Sequence, residues 1–296
     1  MKYNKQLHNI PHLLKSIIGN LPLNWLSPKD QLIVLNYHGT QKKFMNNFKK
    51  QIEYYKKHYK LLSPSEFEEI LSSKRIIEGR NMLITFDDGV KNNLYAIQYL
   101  NSQTIKAYFF VVPGFIETPL EKQKSFFLNN IRPNINSNID CGEEDFMALS
   151  WNDLKEISKI HSIGSHTQHH TMTKNKLSEE QLFEELVDSK LLIQQNLDCE
   201  INAFCSINNT FLTVGEKELK LISENYKYHF STFGGINFDL NPYLIERINV
   251  ESYWMLGAVK FALSSLEFKR WKNKIEIYRE LIKKTSTAKA DGFRYN

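Results

Sequence analysis

Short apolar runs that each stop at a polar cluster, separated by stretches with helical spacing, constrain this chain more than any other feature. Leu32-Ile33-Val34-Leu35 stops at Asn36-Tyr37-His38-Gly39, Met82-Leu83-Ile84-Thr85-Phe86 stops at Asp87-Asp88-Gly89, and Ile105 to Val112 is a third such run. A compact run without alternation suits a strand buried on both faces, and helical segments between such strands are crossover connections. One helix is expected from about Asn46 to His58. Two more open at Ser150-Trp151-Asn152-Asp153 and Ser178-Glu179-Glu180-Gln181, each a cap residue with an acid or amide three positions on, and run to about Ile160 and Leu197. Further strands are expected at Ser162 to Ser165, Ala203 to Ser206, Tyr228 to Thr232 and Leu244 to Val250. The alternation implies an α/β fold of about seven or eight β/α units, enough to close a barrel. Ile116 to Leu149 has no clear period and is too long for an ordinary connection, which marks it as a lid or substrate wall.

With 42% hydrophobic and 24% charged residues, the chain has the make-up of an ordinary globular protein. The net charge of +5 is spread thinly, and the densest basic stretch, Lys269 to Lys274, has glutamates on either side, so a nucleic-acid partner is not indicated. Cys141, Cys199 and Cys205 form no C-x-x-C pair and cannot all be bridged within one chain, which argues for a reducing, cytoplasmic compartment. The apolar patch from Leu13 to Ile18 is interrupted by Lys15 and too short for a secretory core, and no run is long enough to span a bilayer. A short amphipathic helix resting on the inner membrane face is the membrane contact that remains open.

Two clusters fall at the ends of expected strands, the face on which barrel enzymes place catalytic groups. Asp87 and Asp88 are adjacent carboxylates directly after an apolar strand, where they repel and lose solvation unless a cation or shared proton relieves them. His166 and His170 are four apart, and on a helical turn that spacing brings both imidazoles to one side. Two imidazoles and a carboxylate make a coordination set for a divalent ion with positions left open, and the remaining carboxylate is free to act as a base. Zinc is the default for that donor set, with cobalt, nickel or manganese also fitting.

The sequence resembles the NodB-type polysaccharide deacetylases of carbohydrate esterase family 4. The resemblance rests on Thr85-Phe86-Asp87-Asp88-Gly89 and His166-Thr167-x-x-His170, with support from Leu35 to Gly39, Ser150-Trp151, Ile163-Gly164-Ser165 and Arg247-Ile248-Asn249-Val250, and covers roughly residues 30 to 250. It implies a distorted (β/α)7 barrel with C-terminal helices, Asp87 as base, and Asp88 joining His166 and His170 on the metal. On this reading residues 1–28 are an N-terminal extension, 29–252 the barrel with an insertion at about 116–149, 253–285 C-terminal helices and 286–296 a disordered tail. The activity implied is metal-dependent removal of N-acetyl groups from amino sugars of a bacterial polysaccharide or its precursor. Alternatives are a deformylase of a lipid-linked amino sugar and a barrel that binds glycans without turning them over.

Two of the family's motifs are altered. No histidine follows His229, so the late L-x-H motif has no counterpart, and His38 is the candidate acid in its place. Where relatives carry Arg-Pro-Pro-Tyr or Tyr-Pro-x-Gly, this chain has Phe204-Cys205-Ser206-Ile207-Asn208-Asn209, and Arg247 is the candidate replacement for the arginine that tunes the catalytic aspartate. His169 is expected in solvent or behind the ligands, and Phe109, Phe110 and Phe115 in the core.

Overall fold

The structure, a computed structural model, describes residues 12–21, 28–73, 77–133, 142–238, 240–264 and 271–290. After helix α1 (His12–Gly19), a single sheet is built from β1 (Gln31–Tyr37), β2 (Lys60–Leu61), β3 (Arg80–Phe86), β4 (Tyr108–Val111), β5 (Ser162–Ser165), β6 (Ala203–Cys205), β7 (Tyr228–Phe230) and β8 (Ile248–Asn249). Its order is β7-β6-β5-β4-β3-β1-β8, with β2 also on β3, and every ladder is parallel. The sheet curls until its two ends meet across one segment. Ser231 N–H donates to the carbonyl of Ile245 at 2.8 Å, and Val250 N–H to that of Asn36 at 2.9 Å. Leu244 to Val250, expected as one strand, is therefore shared between both edges, and only Ile248–Asn249 has room to form a ladder. The result is the curled (β/α) barrel that the alternation of elements predicts.

Because strand side chains alternate, each strand feeds two layers. Leu32 and Val34 of β1, Leu83 of β3, Tyr108 and Phe110 of β4 and Phe230 of β7 pack in the barrel interior. Ile33 and Leu35, Met82 and Ile84, and Phe109 and Val111 point outward. There they meet α2 (Met45–His58), α4 (Asn93–Ser102), α7 (Trp151–Ser158), α9 (Ser189–Leu197) and α11 (Glu216–Asn225). Phe67 and Leu71 of α3 (Pro64–Ser73) join the interior cluster. Following β3 along its inward face gives Leu83, then Thr85, then Asp87, so the interior turns from apolar to polar toward the C-terminal ends of the strands. Phe109, Phe110 and Phe115 are fully buried, as core residues.

Three expectations about elements need correction. The insertion is structured: α5 (Pro113–Glu117) leads to α6 (Leu120–Phe126), a π-helical turn over Phe127–Ile131 and a 3-10 turn over Glu143–Phe146, while 134–141 lie outside the described residues. Phe115, Phe127, Ile131 and Phe146 bury one another against Val90 and Val112, a small core assembled from residues too dispersed to show a period. The helix from Ser178 begins as expected with a hydroxyl cap, but runs as α8 (Glu179–Phe183), a π segment and then α9. After α10 (Thr210–Thr213) and α12 (Leu256–Ala262), the last helix, α13 (Lys272–Ala290), continues past residue 285 into the expected tail, where Lys and Ala prolong it cheaply; the remainder of that tail lies outside the described residues. No helix among the described residues is long and apolar enough to cross a membrane.

Candidate active site

Asp87 prolongs β3, its N–H donating to the carbonyl of Tyr37 at 2.8 Å, and the chain then turns sharply with Asp88 at φ 72° and Gly89 at φ 66°. The turn sends the two carboxylates in different directions: Asp87 down into the barrel and Asp88 toward the histidines. Both are nearly fully buried.

The histidines do not sit on a helical turn as expected. Residues 166–170 form an irregular loop after β5, with Thr167 at φ 68° and His170 at φ 60°. A β-branched residue in the left-handed region is unusual and has to be held there. Thr167 Oγ1 accepts from the N–H of His170 at 3.0 Å, and the buried Glu185 carboxylate accepts from the N–H of His169 and the hydroxyl of Thr171. His169 itself is half-exposed, its Nδ1 3.1 Å from Glu185, which raises its pKa.

Each of the other two rings is anchored by its Nδ1. His166 donates to the carbonyl of Cys205 at 2.9 Å and His170 to that of Asn130 at 2.8 Å. A carbonyl can only accept, so both protons are on Nδ1 and both Nε2 lone pairs are free. Each Nε2 lies 3.6 Å from Asp88 Oδ1. Tetrahedral bonds of about 2.0–2.1 Å would separate neighbouring donors by roughly 3.3–3.4 Å, so these three atoms fit a divalent ion with little adjustment. Burial pushes the His166 pKa down to about 4 against the pull of Asp87, which keeps the ring neutral.

Asp87 is held from below. Arg247, 1% exposed, forks onto it with Nη1 to Oδ1 at 2.7 Å and Nη2 to Oδ2 at 2.9 Å. The guanidinium is itself fixed by Nε donating to the carbonyl of Ser231 at 2.9 Å, by Thr85 Oγ1 at 3.2 Å, and by the ring face of Phe110 at 5.7 Å. Burial alone would raise the Asp87 pKa, but Arg247 and then His166 outweigh it and hold the carboxyl well below the usual carboxylate range. The Cys205 thiol is within 3.8 Å of both Asp87 oxygens, and burial keeps it protonated.

His38, directly after β1, meets Glu251, which follows the neighbouring β8, and its Nδ1 lies 2.9 Å from Glu251 Oε1. Arg132, from the insertion, bridges Glu251 at 3.8 Å and Asp88 Oδ2 at 3.7 Å. Asp87, Asp88, His166, His170, His38, Arg132 and Glu251 open onto a cleft of about 720 Å³ also lined by Asn36, Asn208, Asn249, Phe146 and Tyr253, with Arg247 buried beneath it. The structure thus gathers Asp87, Asp88, His166, His170 and His38 around one cleft, with Arg247 behind Asp87 and His169 behind the loop.

Residues 74–211 match the family model for polysaccharide deacetylases. This stretch is a polysaccharide deacetylase domain. The family is one of hydrolytic deacetylases, and the matched stretch carries the acid pair Asp87-Asp88 and the histidine pair His166 and His170. No curated protein matches the chain at a significant level. Among solved structures, the Streptococcus pyogenes deacetylase PplD in complex with acetate is 19% identical, covering 80% of this chain and 100% of its own at a TM-score of 0.60. IcaB from Ammonifex degensii is 18% identical, covering 79% of this chain and 97% of its own, also at 0.60. The BpsB deacetylase domain from Bordetella bronchiseptica is 15% identical, covering 76% of this chain and 98% of its own at 0.58. At these identities the likeness is one of fold.

The deacetylase match does not extend to His38, Arg247 or Glu251, whose arrangement is read from this structure alone. Glu251, Arg132 and Asn130 were missed by sequence reasoning. Glu251 closely follows the last strand and shared the strand-end signal that singled out the aspartates, whereas nothing in the sequence marks Arg132 or Asn130.

Proposed function

We propose that this chain removes an N-acyl group, acetyl in the first instance, from an amino sugar of a bacterial polysaccharide or its precursor, using a divalent metal held by Asp88, His166 and His170. The observation that carries this reading is the convergence of two Nε2 lone pairs on one Asp88 oxygen, each ring pinned by its other nitrogen, beside a second carboxylate that is kept ionised. Zinc is the first expectation for that donor set, with cobalt, nickel or manganese as alternatives, and the ion would supply Lewis-acid polarisation and a lowered pKa for water.

The remaining steps belong to the chain. Asp87, fixed by the Arg247 fork, accepts a proton from the attacking water as its oxygen bonds to the acyl carbon. Pairing with Arg247 makes Asp87 a weak base but an always-available one, which suits a water already acidified by other means. When the carbon–nitrogen bond breaks, the departing amine needs a proton. His38, oriented by Glu251 and lining the cleft, is the group assigned to give it. The exposed Asn208 and Asn249 offer partners to sugar hydroxyls, and the half-exposed Tyr253 offers a face on which a sugar ring can stack. The free thiols of Cys199 and Cys205 favour a reducing compartment and hence a precursor as substrate.

Elemental analysis of the purified protein tests the centre. About one divalent ion per chain, lost in a His166→Ala/His170→Ala variant, is expected. Asp87→Asn should keep the ion while acetate release from N-acetylhexosamine oligosaccharides falls by roughly 10²–10⁴-fold. A protein that takes up no metal on reconstitution sinks the mechanism.

A further inference from the structure

Helix α1 is inside out. It turns Ser16 and Gly19 toward α12 and leaves Leu13, Leu14 and Ile17, with Leu21 just beyond it, between 44% and 63% exposed. Leu13, Ile17 and Leu21 are four apart, so they form one stripe along the outer face. The helix cannot roll to bury that stripe. A Cβ added at Gly19 would lie 1.9 Å from the carbonyl oxygen of Gly257, and one at Gly257 would lie 2.1 Å from that of Ser16, so the crossing admits no larger side chain.

Charge says what covers the stripe. Residues 1–29 contain Lys2, Lys5, Lys15 and Lys29 and no aspartate or glutamate, in a chain with 33 acidic residues among 296. We propose that the outer face of α1 docks on an anionic phospholipid bilayer. A helix this short buries too little apolar surface to hold a bilayer by itself, and the acid-free lysine-bearing segment supplies the second signal that stable peripheral binding requires. Lys15 already lies along the helix flank, its ammonium over the Phe261 ring, from where it can reach the headgroups.

The surface is continuous with the cleft. The contact between Gly19 and Gly257 sets the end of α1 beside the start of α12, directly after the half-exposed Met255 and Tyr253, and Tyr253 lines the cleft. A bilayer on this face would meet the cleft at its rim, so docking favours a sugar carried on a lipid. The docking itself does not depend on the metal chemistry, and its test reads lipid binding rather than turnover.

The full chain would be sedimented with vesicles of phosphatidylcholine alone and of phosphatidylcholine with about one-third phosphatidylglycerol. Binding is expected on the anionic vesicles only, weakened by salt. Leu13→Gln/Ile17→Gln should lower the partition coefficient about tenfold or more, and Lys15→Gln roughly fivefold. Both variants should keep the wild-type melting temperature and acetate release from a soluble oligosaccharide. Absence of binding to anionic vesicles, or equal binding by the double variant, overturns the proposal. So does a wild-type dimer that the double variant converts to monomer, because a second copy would then be what covers the face.

Discussion

Arg247 and Asp87 are among the most buried charges in the molecule, and each is tolerable only because of the other. Removing one partner strands a charge in the barrel interior. Arg247→Gln is therefore expected to cost about 3–5 kcal/mol of stability in denaturant melts, while Arg247→Met combined with Asp87→Asn should recover most of that loss. Additive losses in the double variant would show that the pair is not coupled as the fork implies. His38 and Glu251 make a different demand, since they act on the leaving group. Glu251→Gln and His38→Gln should slow release of acetate from an N-acetylated sugar, whose amine departs only with a proton, and leave hydrolysis of 4-nitrophenyl acetate nearly unchanged, because nitrophenolate needs none. Equal losses on both substrates would assign the pair to binding instead. At this scale the sequence was informative where chemistry is local. Adjacent aspartates after an apolar strand, and histidines after another, are conspicuous because each violates the rule for buried charge. Arg132 and Asn130 carry no such mark, since what makes them matter is a partner more than 35 residues away in each case.

Among the elements, β5 coincides with its expected bounds, β4 occupies only Tyr108–Val111 of the run expected from Ile105 to Val112, and β2 (Lys60–Leu61), too short to show a pattern, was not expected. What sequence reasoning could not supply was the geometry of the segments that leave the strands. The spacing of His166 and His170 suggests a helical turn, yet the loop reaches the same convergence through two left-handed residues fixed by Thr167 and Glu185, contacts that exist only once the barrel is formed. The position of that loop depends on how closely β5 lies against its neighbours. A Cβ at Gly164 would come within 2.4 Å of Phe110 and 2.9 Å of the carbonyl oxygen of Ala203, on β4 and β6 respectively. Gly164→Ala should accordingly push β5 outward, cost roughly 1–3 kcal/mol, and weaken metal retention by displacing His166. Gly142→Ala is the control, because nothing lies nearer than 3.8 Å to its added Cβ, and its stability should change by less than about 0.5 kcal/mol. A Gly164→Ala protein as stable and as metal-retentive as the parent would mean that the sheet gives at no cost.

The molecule as a whole buries imidazoles that must stay neutral, and this sets its response to acid. Burial lowers the pKa of His161 from 6.5 to about 4 and that of His229 from 6.5 to about 3. Both rings are fully hydrogen-bonded in place: His161 between the N–H of Ala107 and Asn101, and His229 among Ser206, Tyr278 and the carbonyl of Tyr243. A folded-state pKa below the unfolded value means that the unfolded chain takes up protons first. The contribution is complete above pH 6.5 and is lost as pH falls toward 4 and 3 for the two groups. Between pH 7 and 5 each ring forfeits about 2 kcal/mol, and so does His166 once no ion is bound, its pKa likewise held down to about 4, so together the three forfeit about 6 kcal/mol of a total that for such proteins is roughly 5–15 kcal/mol. His169, with its pKa raised, contributes in the opposite direction, but it is half-exposed and weaker. The expected result is a marked fall in the urea midpoint from pH 7 to pH 5, measured with a chelator present so that metal release does not add to the slope. His161→Gln should remove about a third of that fall, since the substituted side chain takes up no proton in either state. Matching midpoints at the two pH values would require both rings to be protonated in the folded protein, which the donor and acceptor pattern around His161 does not allow.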